Sequence, residues 1–206
     1  MTVVALSAAY GAAGSQIGPL LADRLDVPFV DRAIAIAVAE RLDISVQSAI
    51  AEEERGGASL LERLLSGFAG AYTGAPAGVA PEAVTPSDFH RASRDALLAQ
   101  AATGRGVILG RGACAALRDH PEVLRARLTG PEERRIEHAM SARAVDRDTA
   151  QSTVRALDRA HAEYVRRFYD ADIDDPTLYH LVIDATALPA QTCVEILELA
   201  ALALLR

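Results

Sequence analysis

With 206 residues, half hydrophobic but only 4% aromatic, the chain is long enough for one large domain with a core of alanine and aliphatic side chains. Its 28 acidic residues outnumber 21 basic ones, and the net charge of −7 argues against a surface that coats a nucleic-acid polymer. All 21 basic residues are arginine, with no lysine and no asparagine anywhere, which excludes Schiff-base, Ser-Lys and Tyr-Lys chemistry.

Cys114 and Cys193 form no CxxC pair and are expected to be reduced and buried, which points to a cytoplasmic protein. The apolar opening has no basic residue before it and reaches glycine by Gly11, so a signal peptide is not expected. No run of about 18 apolar residues occurs, and no membrane span is expected.

Val3-Val4-Ala5-Leu6 is a continuous apolar run, the pattern of a strand buried on both faces of a parallel sheet. After a small-residue turn, Ile17, Leu20, Leu21 and Leu25 recur at helical spacing. Val27 to Val30 reads as a second strand ending at Asp31. Helix is expected over 33–42, although Ile34, Ile36 and Val38 also alternate like a strand, and again over 43–65. The stretch 67–87 is rich in Gly, Ala, Pro and Thr with little periodicity, the composition of a functional flap or a disordered segment.

A helix is expected over 88–102, closed by Gly104, then a third strand at Val107-Ile108-Leu109. Val123 to Leu128 is a weaker fourth strand, because Arg125 and Arg127 alternate with apolar residues. Pro131 opens a helix with Glu132 and Glu133 in its first turn, where the macrodipole favours acids. Residues 148–169 read as a long charged helix, Leu181 to Asp184 as the last strand, and 189–205 as a nearly all-apolar helix that must be buried within the domain or against a second copy. Five short strands alternating with helices predict an α/β fold with a central parallel sheet.

The turn Tyr10-Gly11-Ala12-Ala13-Gly14-Ser15-Gln16 lies between a strand and a helix, where outward backbone N–H groups meet a positive helix end. A bound phosphate is the expected occupant. GxxxxGK[ST] is not matched, because there is no lysine, and Gly11, Gly14 and Gly18 do not give GxGxxG. Asp31 nonetheless stands where a ribose-binding acid would. The turn alone leaves a phosphate loop and a dinucleotide fold both open. Arg111, between two glycines directly after a buried strand, is the arginine hardest to explain as surface decoration. Arg134 and Arg135 are expected at the surface, paired with Glu132, Glu133 and Glu137, and Arg166 and Arg167 on a solvated face. The acidic run from Asp170 to Asp175 lacks the glycine and glutamate of an EF-hand loop, and the five histidines form no zinc pattern.

Taken together, several short pieces resemble the cytidylate kinase-like family, a branch of the P-loop nucleoside monophosphate kinases. They are Tyr10 to Ser15, Pro28 to Arg32, Val107 to Gly112, Pro131 to Arg135, Asp158-Arg159 with Tyr164, Arg166 and Tyr169, then Asp175-Pro176, Tyr179 and Asp184 to Thr186. The resemblance implies a P-loop-type three-layer fold and Mg²⁺-ATP-dependent phosphoryl transfer to a nucleoside monophosphate, CMP or dCMP favoured. It implies that Gly11, Ala12, Ala13, Gly14, Ser15 and Gln16 cradle the donor phosphates, with Ser15 near the metal. Asp31, Arg32, Arg111 and Asp158 would hold the acceptor, and Arg111, Arg155 and Arg159 would act in transfer. The single domain would comprise a core of 1–42 and 88–206, an acceptor-binding insertion over 43–87 and a lid near 141–156. Partners would be the nucleotide substrates and, for the apolar last helix, a second copy of the chain. Without the loop lysine or an acid at the end of strand three, the alternative is a nucleotide-binding regulatory protein of the same fold. A dinucleotide-dependent oxidoreductase is the third reading, and it leaves the arginines of the second half without a role.

Overall fold

The structure, a computed structural model, describes residues 2–30, 94–95, 97–110 and 112–204. All of these except 94 and 95 belong to one unit, Met1–Asp31 together with Leu97–Arg206. Its elements are β1 (Thr2–Ala8), α1 (Gly14–Leu25), β2 (Phe29–Val30), β3 (Arg105–Leu109), α2 (Ala113–Ala116), β4 (Val123–Thr129), α3 (Glu132–Arg143), α4 (Arg147–Tyr169), a 3₁₀ turn at Pro176–Leu178, β5 (Leu181–Asp184) and α5 (Ala190–Ala203). The expected insertion over 43–87 and the helix over 33–42 lie outside the described residues.

The five strands are parallel in the order β2-β3-β1-β4-β5. This is the α/β sheet expected from the sequence. β1 is central, with Leu6 level with Leu109 of β3 and Ser7 level with Arg127 of β4. Period-two alternation assigns its side chains to two cores. Val4 and Leu6 pack with Ile17 and Leu21 of α1 and Val194 and Leu197 of α5. Val3 and Ala5 pack with Leu97, Ile108, Leu117 and Tyr179 on the other face. The strand reads as continuously apolar because it is covered on both sides.

The same alternation explains β4, which is buried along Val123–Leu128 despite its two arginines. Arg125 and Arg127 point to the face of Val123. There Arg125 Nε donates to the Leu178 carbonyl at 3.0 Å, and Arg127 donates to Ser7 Oγ at 2.8 Å and to Asp174 at 3.3 Å. Their buried heads are hydrogen-bonded, which offsets the cost of removing charge from water.

The apolar last helix is only partly buried within this chain. α5 buries Cys193, Val194, Leu197 and Ala201, yet Leu199 is 72% and Leu202 46% exposed. One helix on one face of a sheet can bury only a stripe, whatever the composition of its other side. Both cysteines are free and buried, and Cys114 Sγ donates to the Ala5 carbonyl at 3.4 Å.

α3 and α4 pack through Ile136, Ala139, Ala150 and Val154. Asp146 caps α4, accepting from Thr149 N at 2.9 Å. Ile136 is fully buried here, so Ile136→Val should lower unfolding free energy by about 1 kcal/mol, read from the urea midpoint at unchanged slope.

Candidate functional site

Sheet order changes direction at β1: β2 and β3 lie to one side of it, and β4 and β5 to the other. The crevice outside the carboxyl ends of strands at such a point is where open α/β sheets bind ligands. The turn Ala9–Ala13 leaves β1 at that place. Ala9 N donates to the Leu128 carbonyl at 2.9 Å, and Ala12 N closes a tight turn onto the Ala9 carbonyl at 3.0 Å. Gly11 has φ +82° and Ala13 φ +54°, so two left-handed residues bend the backbone into the start of α1.

The donors at the very start of α1 are left unpaired among the described residues. Gln16 N and Ile17 N both donate to the Ala13 carbonyl, whereas the N–H groups of Ala13, Gly14 and Ser15 have no acceptor among the described residues. Among the described residues no side chain caps the helix, and its first turn holds no acid. The positive end of the macrodipole is therefore uncompensated, which suits an oxyanion. Gly14 lies tight against β1: a Cβ there would come within 2.5 Å of Ala8 Cβ.

Two residues absent from the sequence-derived site, Tyr10 and Arg135, meet Asp158, which was expected to hold the acceptor. Asp158 of α4 accepts from Tyr10 N at 3.1 Å and from Arg135 Nη1 at 2.6 Å. The same Arg135 nitrogen donates to the Tyr10 carbonyl at 3.0 Å, while Arg135 Nε donates to the Gly130 carbonyl at 3.0 Å. Arg135 is thus a buried cation and not the surface partner of neighbouring glutamates. Arg134 is corrected likewise: it pairs with Asp184 at 2.7 Å across the end of β5. Side chains adjacent along a helix do not face one another, so the runs of Glu and Arg in α3 pair with other elements. Glu132 takes Arg155 at 2.8 Å, and Glu133 takes Arg147.

Asp184 is held in a compact turn, accepting from Thr186 Oγ1 at 2.6 Å and from the N–H groups of Thr186 and Ala187. The Thr186 hydroxyl leads the contacts that lower its pKa, with Arg134 adding to them.

Of the arginines expected to act in transfer, Arg155 is engaged by Glu132 at the surface. Arg159 is exposed on α4 with no partner among the described residues. Asp31, Arg32 and Arg111 lie outside the described residues. The segment expected to form a lid, 141–156, comprises the end of α3, a turn through Ala144 at φ +52°, and the first turns of α4.

On the other face of β1, Ser7, Arg127, Asp174 and Tyr179 form a polar layer, with Tyr179 Oη donating to the Ile173 carbonyl at 2.7 Å. His161 of α4 feels the charges of Arg127 and Asp174 in this layer. Burial pushes its pKa down to about 4, helped by the Arg127 charge and opposed by Asp158 and Asp174.

The Ser15 hydroxyl is exposed beside the loop donors and makes no hydrogen bond among the described residues. It can offer one oxygen to a cation. Among the described residues no three His, Cys, Asp or Glu side chains are grouped to hold a metal on their own. Mg²⁺ binds through few protein oxygens and takes the rest from phosphates and water, and the Ser15 hydroxyl is the oxygen this turn would offer it. Among the described residues no helix is long and apolar enough to cross a membrane.

Parallel strands in the order β2-β3-β1-β4-β5, not the 3-2-1-4-5 order of the dinucleotide fold, with a tight turn after the first strand, define an α/β protein of the P-loop type. Residues 3–187 match the cytidylate kinase-like family, and the chain belongs to that family. Membership supports a nucleotide-dependent kinase and implies ATP, with Mg²⁺ its usual companion. No curated protein matches the chain. Among solved structures, an uncharacterized protein from Eubacterium ventriosum is 16% identical, aligned over 98% of each chain with a TM-score of 0.67. TT1252 from Thermus thermophilus is 18% identical over 100% of this chain and 98% of its own, with a TM-score of 0.51. At such identities the likeness is one of fold.

Proposed function

We propose that the protein transfers the terminal phosphoryl group of Mg²⁺-ATP to a nucleoside monophosphate, with CMP or dCMP the favoured acceptor. The observation that carries the reading is the set of unpaired N–H groups of Ala13, Gly14 and Ser15, set at an uncapped helix start beside the strand-order reversal. Gly11 to Gln16 cradle the donor phosphates, and Ser15 gives an oxygen to the cation. Asp31, Arg32 and Arg111 hold the acceptor, and Arg111, Arg155 and Arg159 meet charge that spreads over the transferring group.

Arginine suits that task. Phosphoryl transfer asks the protein mainly for alignment and for neutralisation of equatorial oxygens, and a guanidinium forks onto two of them while staying charged. In support of that role, Arg159 is exposed and has no partner among the described residues.

The total absence of lysine favours a second reading, a regulatory protein that binds nucleotide without turning it over. A coupled ADP-release assay across CMP, dCMP, UMP, AMP and GMP separates the two. Acceptor-stimulated release, greatest with CMP or dCMP, is expected. ATP binding with no acceptor-dependent release would select the regulatory reading, and no ATP binding would overturn both.

A further inference from the structure

Tyr10 is held by both of its backbone polar groups. Its N–H donates to Asp158, and its carbonyl accepts from Arg135, which also bonds Asp158 and the Gly130 carbonyl. The backbone carbonyl of Arg135 meanwhile packs directly on the Cα of Gly11. Four segments therefore converge on one ion pair: the exit of β1, the exit of β4, the start of α3 and the middle of α4. Arg135 and Asp158 have side chains only 10% and 31% exposed, and the carboxylate is already engaged by two donors.

We propose that Arg135 and Asp158 are positioning residues that set the backbone of the phosphate loop, and that Asp158 acts on the donor side through Tyr10 and not by touching the acceptor. This rests on the nucleotide reading above. The loop has no lysine to draw in the phosphates, so its affinity depends on where its amides point. With both polar groups of Tyr10 fixed, the left-handed turns at Gly11 and Ala13 follow, and those turns aim the N–H groups of Ala13, Gly14 and Ser15 outward. Helix α4 also carries Arg155 and Arg159, so the clamp holds the loop in register with the arginines of that helix.

The test is calorimetric titration of the full chain with inorganic tripolyphosphate and, separately, with CMP, for wild type, Asp158→Asn, Asp158→Ala and Arg135→Lys. Urea unfolding gives the folded fraction of each variant. Asp158→Asn keeps an acceptor for Tyr10 N–H but loses the ion pair, and Arg135→Lys keeps the charge but loses the fork. Tripolyphosphate affinity per folded molecule should fall at least tenfold in Asp158→Ala and Arg135→Lys and by less in Asp158→Asn, with CMP affinity unchanged. Should Asp158→Ala not fold, the other two variants decide. Wild-type tripolyphosphate affinity in all folded variants overturns the clamp and leaves the nucleotide reading standing, and so does a loss confined to CMP. Failure of the wild type itself to bind tripolyphosphate overturns the nucleotide reading and the clamp with it.

Discussion

Gly11→Ala should abolish measurable triphosphate binding and lower unfolding free energy by about 2 to 5 kcal/mol, from left-handed strain of about 1 to 2 and overpacking of about 1 to 3. Two independent effects add at this position. Gly11 has φ +82°, a conformation in which an L side chain crowds its own carbonyl. A Cβ would also overlap the Arg135 carbonyl oxygen and lie 2.9 Å from the carbonyl carbon, and backbone in a helix start cannot swing aside as a side-chain tip could. Relief requires either the turn or α3 to move, and both moves misdirect the amides of Ala13, Gly14 and Ser15. Urea unfolding and tripolyphosphate titration measure the two parts separately. Gly110→Ala is the control: its φ is +78° but a Cβ there would meet nothing within 4 Å among the described residues. It should show the conformational cost without the clash. Equal losses in the two variants would mean that strain alone, and not contact with α3, governs the loop.

The parts of this molecule legible in the sequence are those that depend on local pattern. β1 and β5 stand out as short apolar runs, and the two strand cores follow from alternation within β1. α4 begins at Arg147, one residue from where its charged periodicity starts, because Asp146 is a capping acid and its apolar positions are regularly spaced. The turn between β1 and α1 was legible for the same reason: small residues between a strand and a helix leave few backbone alternatives.

What sequence alone could not supply are long-range polar partners. Arg135 and Asp158 both stand within the pieces that resemble the cytidylate kinase-like family. Nothing in the spacing from α3 to the middle of α4 says that they touch, or that both grip Tyr10. Composition counted Arg125 and Arg127 against burial, yet tertiary acceptors from Ser7, Asp174 and Leu178 made burial tolerable. The exposed Leu199 and Leu202 show the opposite limit. Hydropathy records what a residue prefers, and packing geometry decides which preferences can be met.

The remaining large effect concerns acid. His161 faces Arg127 of β4, Asp174 of the turn after α4, and Asp158 on its own helix, and burial leads the causes that hold its pKa at about 4. A histidine kept neutral in the native state but free to protonate near 6.5 when unfolded stabilises fully above 6.5, and that contribution disappears as pH falls towards 4. The difference of about 2.5 units is worth up to about 3 kcal/mol by pH 4, a large share of a domain's stability. Protonation would also add a positive charge that the buried Arg127 guanidinium opposes, and the bond from Arg127 to Ser7 lies level with the last residues of β1. His161→Gln removes the titration while keeping a polar side chain of similar reach. The free energy of urea unfolding should fall more steeply for wild type than for His161→Gln between pH 7 and pH 4.5, and the two should run parallel above pH 7. Carboxylates with lowered pKa values, such as Asp184 and Asp146, cancel in that comparison because both proteins carry them. Parallel curves throughout would show that the His161 ring reaches water when charged, and that the polar layer beneath the loop is open on that side.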